Sequence, residues 1–325
     1  MSATLIVIIA IIAAVAPIPL SFVIEALRKR SDPPTTFAWA PSIPIQYLNL
    51  DGVRIRYIKT GDGAPLMLLH TLRTQLDIFQ KVIPDLARDF TVFALDYPGH
   101  GWSDIPEVDY KPELFTRTVA AFMDQLNIRN IIVAGISIGG IIPLLLAAEH
   151  NSRIRGVVSI NPYDYAGGNG LGRGNLVARI ISTLAPIPVM GETVMRMRNN
   201  LVERIIFEGG VSTPSAITAP FLAEMVSVGN RPHHYRAFLN LLRHAKEWTH
   251  AHAVYGQINI PVLLVYGDQD WSNESERKTT YNEIPGAQLE IVPNGGHFLS
   301  LDRPESVIGH IKAFSKKLKA AAQQA

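Results

Sequence analysis

Ser137 stands in the run Gly135-Ile136-Ser137-Ile138-Gly139-Gly140, between an apolar, β-branched stretch at 130–134 and a helical-looking one at 141–149. A serine hydroxyl is a weak nucleophile in an ordinary loop and a useful one on a tight strand-to-helix turn, where its oxygen stands clear of the sheet edge. Such a turn needs small neighbours, because a Cβ at position 135 or 139 would meet the adjoining strand or helix. The following helix would aim its free N–H groups and positive dipole end at the same place, where an oxyanion could be stabilised.

Such a serine needs a base, and the base an orienting acid. Downstream, residues 261–266 form a buried strand pattern ending in Gly267-Asp268-Gln269-Asp270-Trp271, and residues 288–292 form another, followed by Pro293-Asn294-Gly295-Gly296-His297. Both polar groups fall just past strand C-termini, where open α/β sheets place their sites. His297 is the expected base among ten histidines, because the double glycine lets its loop bend over the sheet edge. Asp270 is the expected acid, with Asp164 as the alternative; Asp268 reads as a solvated turn former. The oxyanion donors are expected to be the backbone N–H groups of Ile138 and Leu72, the latter in the loop after the strand at 65–69. His70 should brace that loop, and Arg73 reads as a surface arginine with an anionic substrate group as its rival reading.

Together these residues resemble the lid-bearing branch of the α/β-hydrolase superfamily, which contains esterases, lactonases and carbon–carbon bond hydrolases. The resemblance runs from about residue 47 to 314 and includes Asp96-Tyr97-Pro98-Gly99-His100-Gly101-Trp102-Ser103-Asp104 and Gly296-His297-Phe298 with Arg303-Pro304-Glu305. It implies Ser137 as nucleophile, Asp270 as acid, His297 as base, and no cofactor. Two features depart from it: Thr71 stands where relatives have glycine, and Trp271-Ser272-Asn273 replaces a proline after the acid. Related branches that open epoxides or remove halide use Asp as the nucleophile, so a serine at 137 argues against both chemistries.

The 325 residues carry 30 Lys and Arg against 28 Asp and Glu and no cysteine, which excludes disulfides and thiolate chemistry and gives nucleic-acid binding no support. Residues 3–24 contain no charge; as a helix of roughly 33 Å they would cross a bilayer. The basic Arg28-Lys29-Arg30 flank then predicts a single-pass membrane protein with its catalytic domain in the cytoplasm; an apolar helix packed on the domain itself is the alternative. The expected organisation is an anchor over 1–30, a linker over 31–44 rich in proline that lifts the domain off the bilayer, α/β-hydrolase core over 45–162 and 258–325, and a helical cap over 163–257. The core should be a mostly parallel sheet covered on both faces, with helices at 77–88 and 113–126.

In the cap, residues 167–174 read as a loose glycine-rich hinge. Helices are expected at 175–184, 192–207, 214–228 and 232–252. Val189, Met190, Val194, Met195, Met197, Ile205, Ile206 and Phe207 offer an apolar lining. His233, His234, His244, His250 and His252 lack a helical ligand spacing and read as a solvated polar face rather than a metal site. The leading expectation is a membrane-anchored serine hydrolase of an apolar ester, thioester or lactone. Acyl transfer, amide cleavage and carbon–carbon hydrolysis would use the same residues, and a non-catalytic protein that binds an apolar ligand is the rival class. Oligomeric state is not legible.

Overall fold

The computed structural model describes Leu5 and residues 15–324. Its centre is an eight-stranded sheet: β1 (Gln46–Leu50), β2 (Val53–Thr60), β3 (Ala64–Leu69), β4 (Phe90–Leu95), β5 (Ile131–Ile136), β6 (Ile154–Ile160), β7 (Val262–Gly267) and β8 (Gln288–Val292), in the order β1-β2-β4-β3-β5-β6-β7-β8. β2 runs antiparallel to β1 and β4, and every other pairing is parallel. Asp51 and Gly52 turn β1 into β2, both at positive φ, as a tight two-residue hairpin requires. β5 and β7 are buried at every position, so their unbroken apolar runs reflect coverage on both faces.

Helices follow in chain order: α1 (Pro17–Ala26), α2 (Pro112–Gln125), α3 (Ile138–Ala148), α4 (Leu176–Leu184), α5 (Met190–Arg196), α6 (Asn200–Glu208), α7 (Ala219–Gly229), α8 (His234–Arg243), α9 (Glu274–Glu283) and α10 (Pro304–Gln324). Two residues of β6 show how the sheet is sandwiched. Gly156 faces Phe314 and Leu318 of α10, while Ser159 donates to the Gly140 carbonyl in α3. Three residues apart on a strand, they point to opposite faces. The helix expected at 77–88 is instead a 3-10 turn (Leu76–Phe79) and a single turn (Ile83–Leu86), because Pro84 has no N–H to continue the ladder.

Between β6 and β7 the described chain contains no strand; its helices α4 to α8 sit over the sheet edge. Residues 192–207 are two helices rather than one, since the Asn199 side chain accepts from the Val202 N–H and starts α6 afresh. The glycine-rich run is packed, not loose: the Tyr163 hydroxyl donates to the Gly168 carbonyl and accepts from the Leu171 N–H, and Gly168 at φ 77 lies against the Ala245 carbonyl.

The front end departs most from expectation. Residues 1–4 and 6–14 of the apolar segment lie outside the described residues, and among the described residues no helix is long and apolar enough to cross a membrane. α1 lies on the cap. The Arg198 guanidinium bonds Glu25 at 2.8 Å, Arg28 donates to Asn230 and to the Arg196 and Arg198 carbonyls, and Arg196 donates to buried Ser21. Residues 31–44 do not stand off the domain either: Phe37 is buried against Arg56, and the Trp39 indole donates to Asp77 at 2.7 Å.

Candidate active site

The turn after β5 is built as tight steric constraint demands. Ser137 adopts φ 61, ψ −123, outside the ordinary basins for an L-residue. A Cβ on Gly135 would lie 1.8 Å from the Gly139 carbonyl oxygen, and one on Gly139 would lie 2.2 Å from that of Leu69. Those contacts press the serine turn against the end of β3. The Ser137 N–H donates to the Ile160 carbonyl at 2.9 Å, tying the turn to β6 as well.

His297 and Asp270 meet across neighbouring loops: Nδ1 and Oδ1 are 2.5 Å apart, with both side chains excluded from solvent. Burial pushes the Asp270 carboxyl up, but the charge and hydrogen bond of His297, with bonds from Ser272, hold it below the usual carboxylate range. With Nδ1 committed to Asp270, Nε2 is the open nitrogen. It and Ser137 Oγ are both buried without a hydrogen-bond partner.

Three residues in this arrangement escaped the sequence reading. Trp271 stacks on the His297 imidazole, centroids 3.8 Å apart and planes 12° from parallel. Ser272 donates to the second Asp270 oxygen from both its N–H and its hydroxyl. Asn161, directly after β6, donates from Nδ2 to the Gly296 and His297 carbonyls and accepts at Oδ1 from the Gly267 N–H. One side chain thereby fixes both the acid turn and the histidine loop. The Trp-Ser departure from the family's proline signalled the first two; Asn161 carried no comparable signal. Asp268 also braces the histidine loop, accepting from the Gly295 N–H.

Ile138 opens α3, so its N–H has no carbonyl inside the helix to bond. Leu72 lies in the facing loop, which His70 pins: Nε2 accepts from the Tyr97 N–H at 3.2 Å, leaving the proton on Nδ1 to donate to the Thr71 carbonyl at 2.8 Å. Burial drives the His70 pKa down to about 3, which suits a neutral brace. Gly139 against the carbonyls of Leu69 and His70 brings this loop to the serine turn.

Asp164 is not placed to serve His297. Its Oδ2 accepts from Tyr255 and Thr280, and its neighbour is His252, which also bonds Glu283. Burial raises its pKa to about 6. Among the cap histidines, His234 is buried rather than solvated, and among the described residues no cluster of three metal-ligating side chains forms.

A cavity of about 380 Å³ opens beside the site. Thr71 and Leu72 form one wall, Trp271 and Phe298 another, and the cap closes it with Val177, Ile181, Val194, Met195, Ile206, Phe207 and Phe238. Val189 and Met190, expected in the lining, are exposed, and Ile205 is not part of it. Arg73 is no surface residue. It lies in the cavity wall, ion-paired with Glu203 of α6 at 2.6 Å.

A parallel-rich sheet, a strained serine turn and a histidine–carboxylate pair on the loops after β7 and β8 define an α/β-hydrolase. Comparison with known proteins agrees. The family described as alpha/beta hydrolase fold matches residues 64–179. Haloalkane dehalogenase 2 of Mycobacterium tuberculosis is 29% identical over 271 residues, covering 79% of this chain and 90% of the relative. A solved membrane phospholipase A, described as a bacterial virulence factor, superposes with TM-score 0.71 at 20% identity over 97% of this chain and 96% of its own. An N-acyl homoserine lactone degrading enzyme superposes with TM-score 0.65 at 26% identity, covering 83% and 100%. The chain has the α/β-hydrolase fold, and its residues 64–179 match that family.

Proposed function

We propose that the protein is a serine hydrolase that cleaves a carboxylic ester, thioester or lactone with an apolar portion. The observation that carries this reading is the buried His297–Asp270 pair with its open Nε2 and the open Ser137 Oγ, together with an apolar cavity walled by Trp271 and Phe298, the residues that follow Asp270 and His297. His297 Nε2 takes the Ser137 proton as Oγ attacks the substrate carbonyl. The N–H groups of Leu72 and Ile138 receive the oxyanion. The alcohol, thiol or lactone hydroxyl leaves with the proton from His297. Water, deprotonated by the same nitrogen, then releases the acyl group, while Asp270 holds the imidazole and its positive charge throughout. Serine at 137 separates this chemistry from that of the dehalogenase relative, since the halide-removing branch relies on an aspartate nucleophile. The lactone-degrading and phospholipase neighbours support a carboxylic ester bond as the target.

The apolar N-terminus supports contact with a bilayer. On the docked helix α1, Leu20, Phe22 and Val23 are each about half exposed, and Leu27, just past its end, is four-fifths exposed. With 17–26 held on the cap, residues 3–16 reach only about 21 Å as a helix, short of a ~30 Å hydrocarbon core. The reading is therefore an anchor that inserts with α1 lying at the interface, and exposed Lys29 and Arg30 favour the cytoplasmic side.

Labelling with a fluorophosphonate probe tests the chemistry. Stoichiometric modification of Ser137, lost in both Ser137→Ala and His297→Ala, is the expected result. Absence of labelling in folded protein, with and without detergent, overturns the hydrolase reading.

A further inference from the structure

The cavity wall is mostly apolar; of its polar members, Arg198 is already bonded to Glu25 and to the Gly229 and Met195 carbonyls, and Asn199 caps α6. Arg73, next to the oxyanion candidate Leu72, and Glu203, on α6 of the cap, both line the cavity. They share a single short contact, Nη2 to Oε1 at 2.6 Å. The remaining ends are unused: Arg73 Nη1 and Glu203 Oε2 are buried with no partner. A buried donor and a buried acceptor left open are each costly. Gly229 keeps the space around the pair clear, since a Cβ there would sit 2.3 Å from Arg73 Nη2 and 3.1 Å from Glu203 Oε1.

What ligand chemistry fits one open donor beside one open acceptor? An alkyl chain satisfies neither. An anionic group would take the Arg73 donor but be repelled by the Glu203 carboxylate beside it. A neutral group that both donates and accepts satisfies both. Resting on the ester-hydrolase reading, we infer that Arg73 and Glu203 form a specificity subsite for a neutral hydroxyl or secondary amide of the substrate, close to the scissile carbonyl. The subsite selects functionalised esters over plain alkyl esters and over phosphate-bearing ones. The group can belong to the alcohol side or to the acyl side.

The test is isosteric. Binding to the Ser137→Ala protein is measured by titration calorimetry for 2-hydroxyethyl octanoate against propyl octanoate, for propyl 3-hydroxyoctanoate against propyl octanoate, and for 2-phosphonooxyethyl octanoate. Binding needs no turnover, so the outcome is independent of the hydrolase reading, which wild-type cleavage of propyl octanoate checks separately. The expected result is an affinity at least about tenfold higher for a hydroxylated ester in one of the two arms, which also identifies the side of the substrate. The phosphate ester should bind at least about tenfold more weakly than its hydroxyl counterpart. In the same background, Glu203→Met should bring the hydroxyl preference to within about threefold of unity. Should that variant not fold, the double change Arg73→Met with Glu203→Met removes both charges together and should erase the preference equally. Equal binding of hydroxylated and plain esters, a preference for the phosphate ester, or a preference that survives the substitutions overturns the inference.

Discussion

The Trp271 indole lies flat on the His297 imidazole, 3.8 Å between centroids, while Asp270 grips the ring edge at Nδ1. Face and edge are both held, so the imidazole cannot rotate away from its task. In the proposed mechanism an aromatic face would also attract the imidazolium formed as Ser137 gives up its proton. Trp271→Leu is expected to lower kcat about tenfold, and Trp271→Phe, which keeps a face, by less than about threefold. Steady-state kinetics on a soluble ester measure both; equal losses would mean that only volume matters.

Asn161 joins what the chain separates by more than a hundred residues. Its three hydrogen bonds reach the last residue of β7 and the two carbonyls around His297. Asn161→Ala should lower stability by about 2–3 kcal/mol in urea unfolding, because buried backbone groups lose their partners. It should also lower kcat with little effect on KM, since acid and base shift while the cavity does not.

The serine turn leaves no space for added atoms. Gly139→Ala would bring a methyl to 2.2 Å from the Leu69 carbonyl and 2.4 Å from that of His70, both rigid backbone atoms. The expected outcome is a loss of about 3 kcal/mol or more, or failure to accumulate as folded protein. Gly256→Ala, with open space around it, serves as the control and should be nearly silent.

Why was this turn legible in the sequence when Asn161 was not? The serine turn is local: steric demand, strand and helix lie within twenty consecutive residues, so composition reports geometry directly. The order Ser137, Asp270, His297 is readable for a related reason, since each residue follows its own strand. Asn161 acts across three loops, and nothing in its neighbours distinguishes it from any asparagine after a strand. The same limit applied to Arg73, whose partner Glu203 arrives from a cap helix 130 residues away. The apolar run at 3–24 was legible as apolar, and its docking on the domain only as the weaker alternative. Hydropathy sets the wish to leave water, whereas Glu25 and Arg28 bonding the cap decide where residues 17–26 go.

Stability should fall on mild acidification. Burial depresses the pKa of both His70 and His100 to about 3 from 6.5. A folded value below the unfolded one means that the contribution is complete above about pH 6.5 and is lost as pH falls towards 3. Each histidine is worth about 1.4 kcal/mol per pH unit in that window. Asp164, raised to about 6, acts with opposite sign below that pH and offsets one of the two. Buried His234, held well below its ordinary range, acts with the same sign as His70 and His100, so the net expectation is a loss of stability between pH 6 and 4. Urea midpoints across this range should show it, and His100→Asn should flatten the slope.

Glu25 ties the N-terminal segment to the substrate cavity through one residue. Arg198, a cavity-wall residue, bonds the Glu25 carboxylate and the Gly229 and Met195 carbonyls. Burial pushes the Glu25 carboxyl up, but Arg198 and Arg28 hold it below its ordinary range, as expected for a carboxylate that works as a counter-charge. Glu25→Ala leaves the Arg198 guanidinium buried without its anion, at a cost of about 3 kcal/mol. That cost falls on the cap rather than the sheet, because none of the bonded groups belongs to a core strand. Hydrogen exchange should therefore rise in α5 and α7 while β5 and β7 stay protected. On the proposed ester-hydrolase reading, cleavage of long-chain esters should weaken through KM, since the disturbed wall lines the cavity and does not include the serine. Unchanged exchange in the cap would mean that α1 rests on it without holding it.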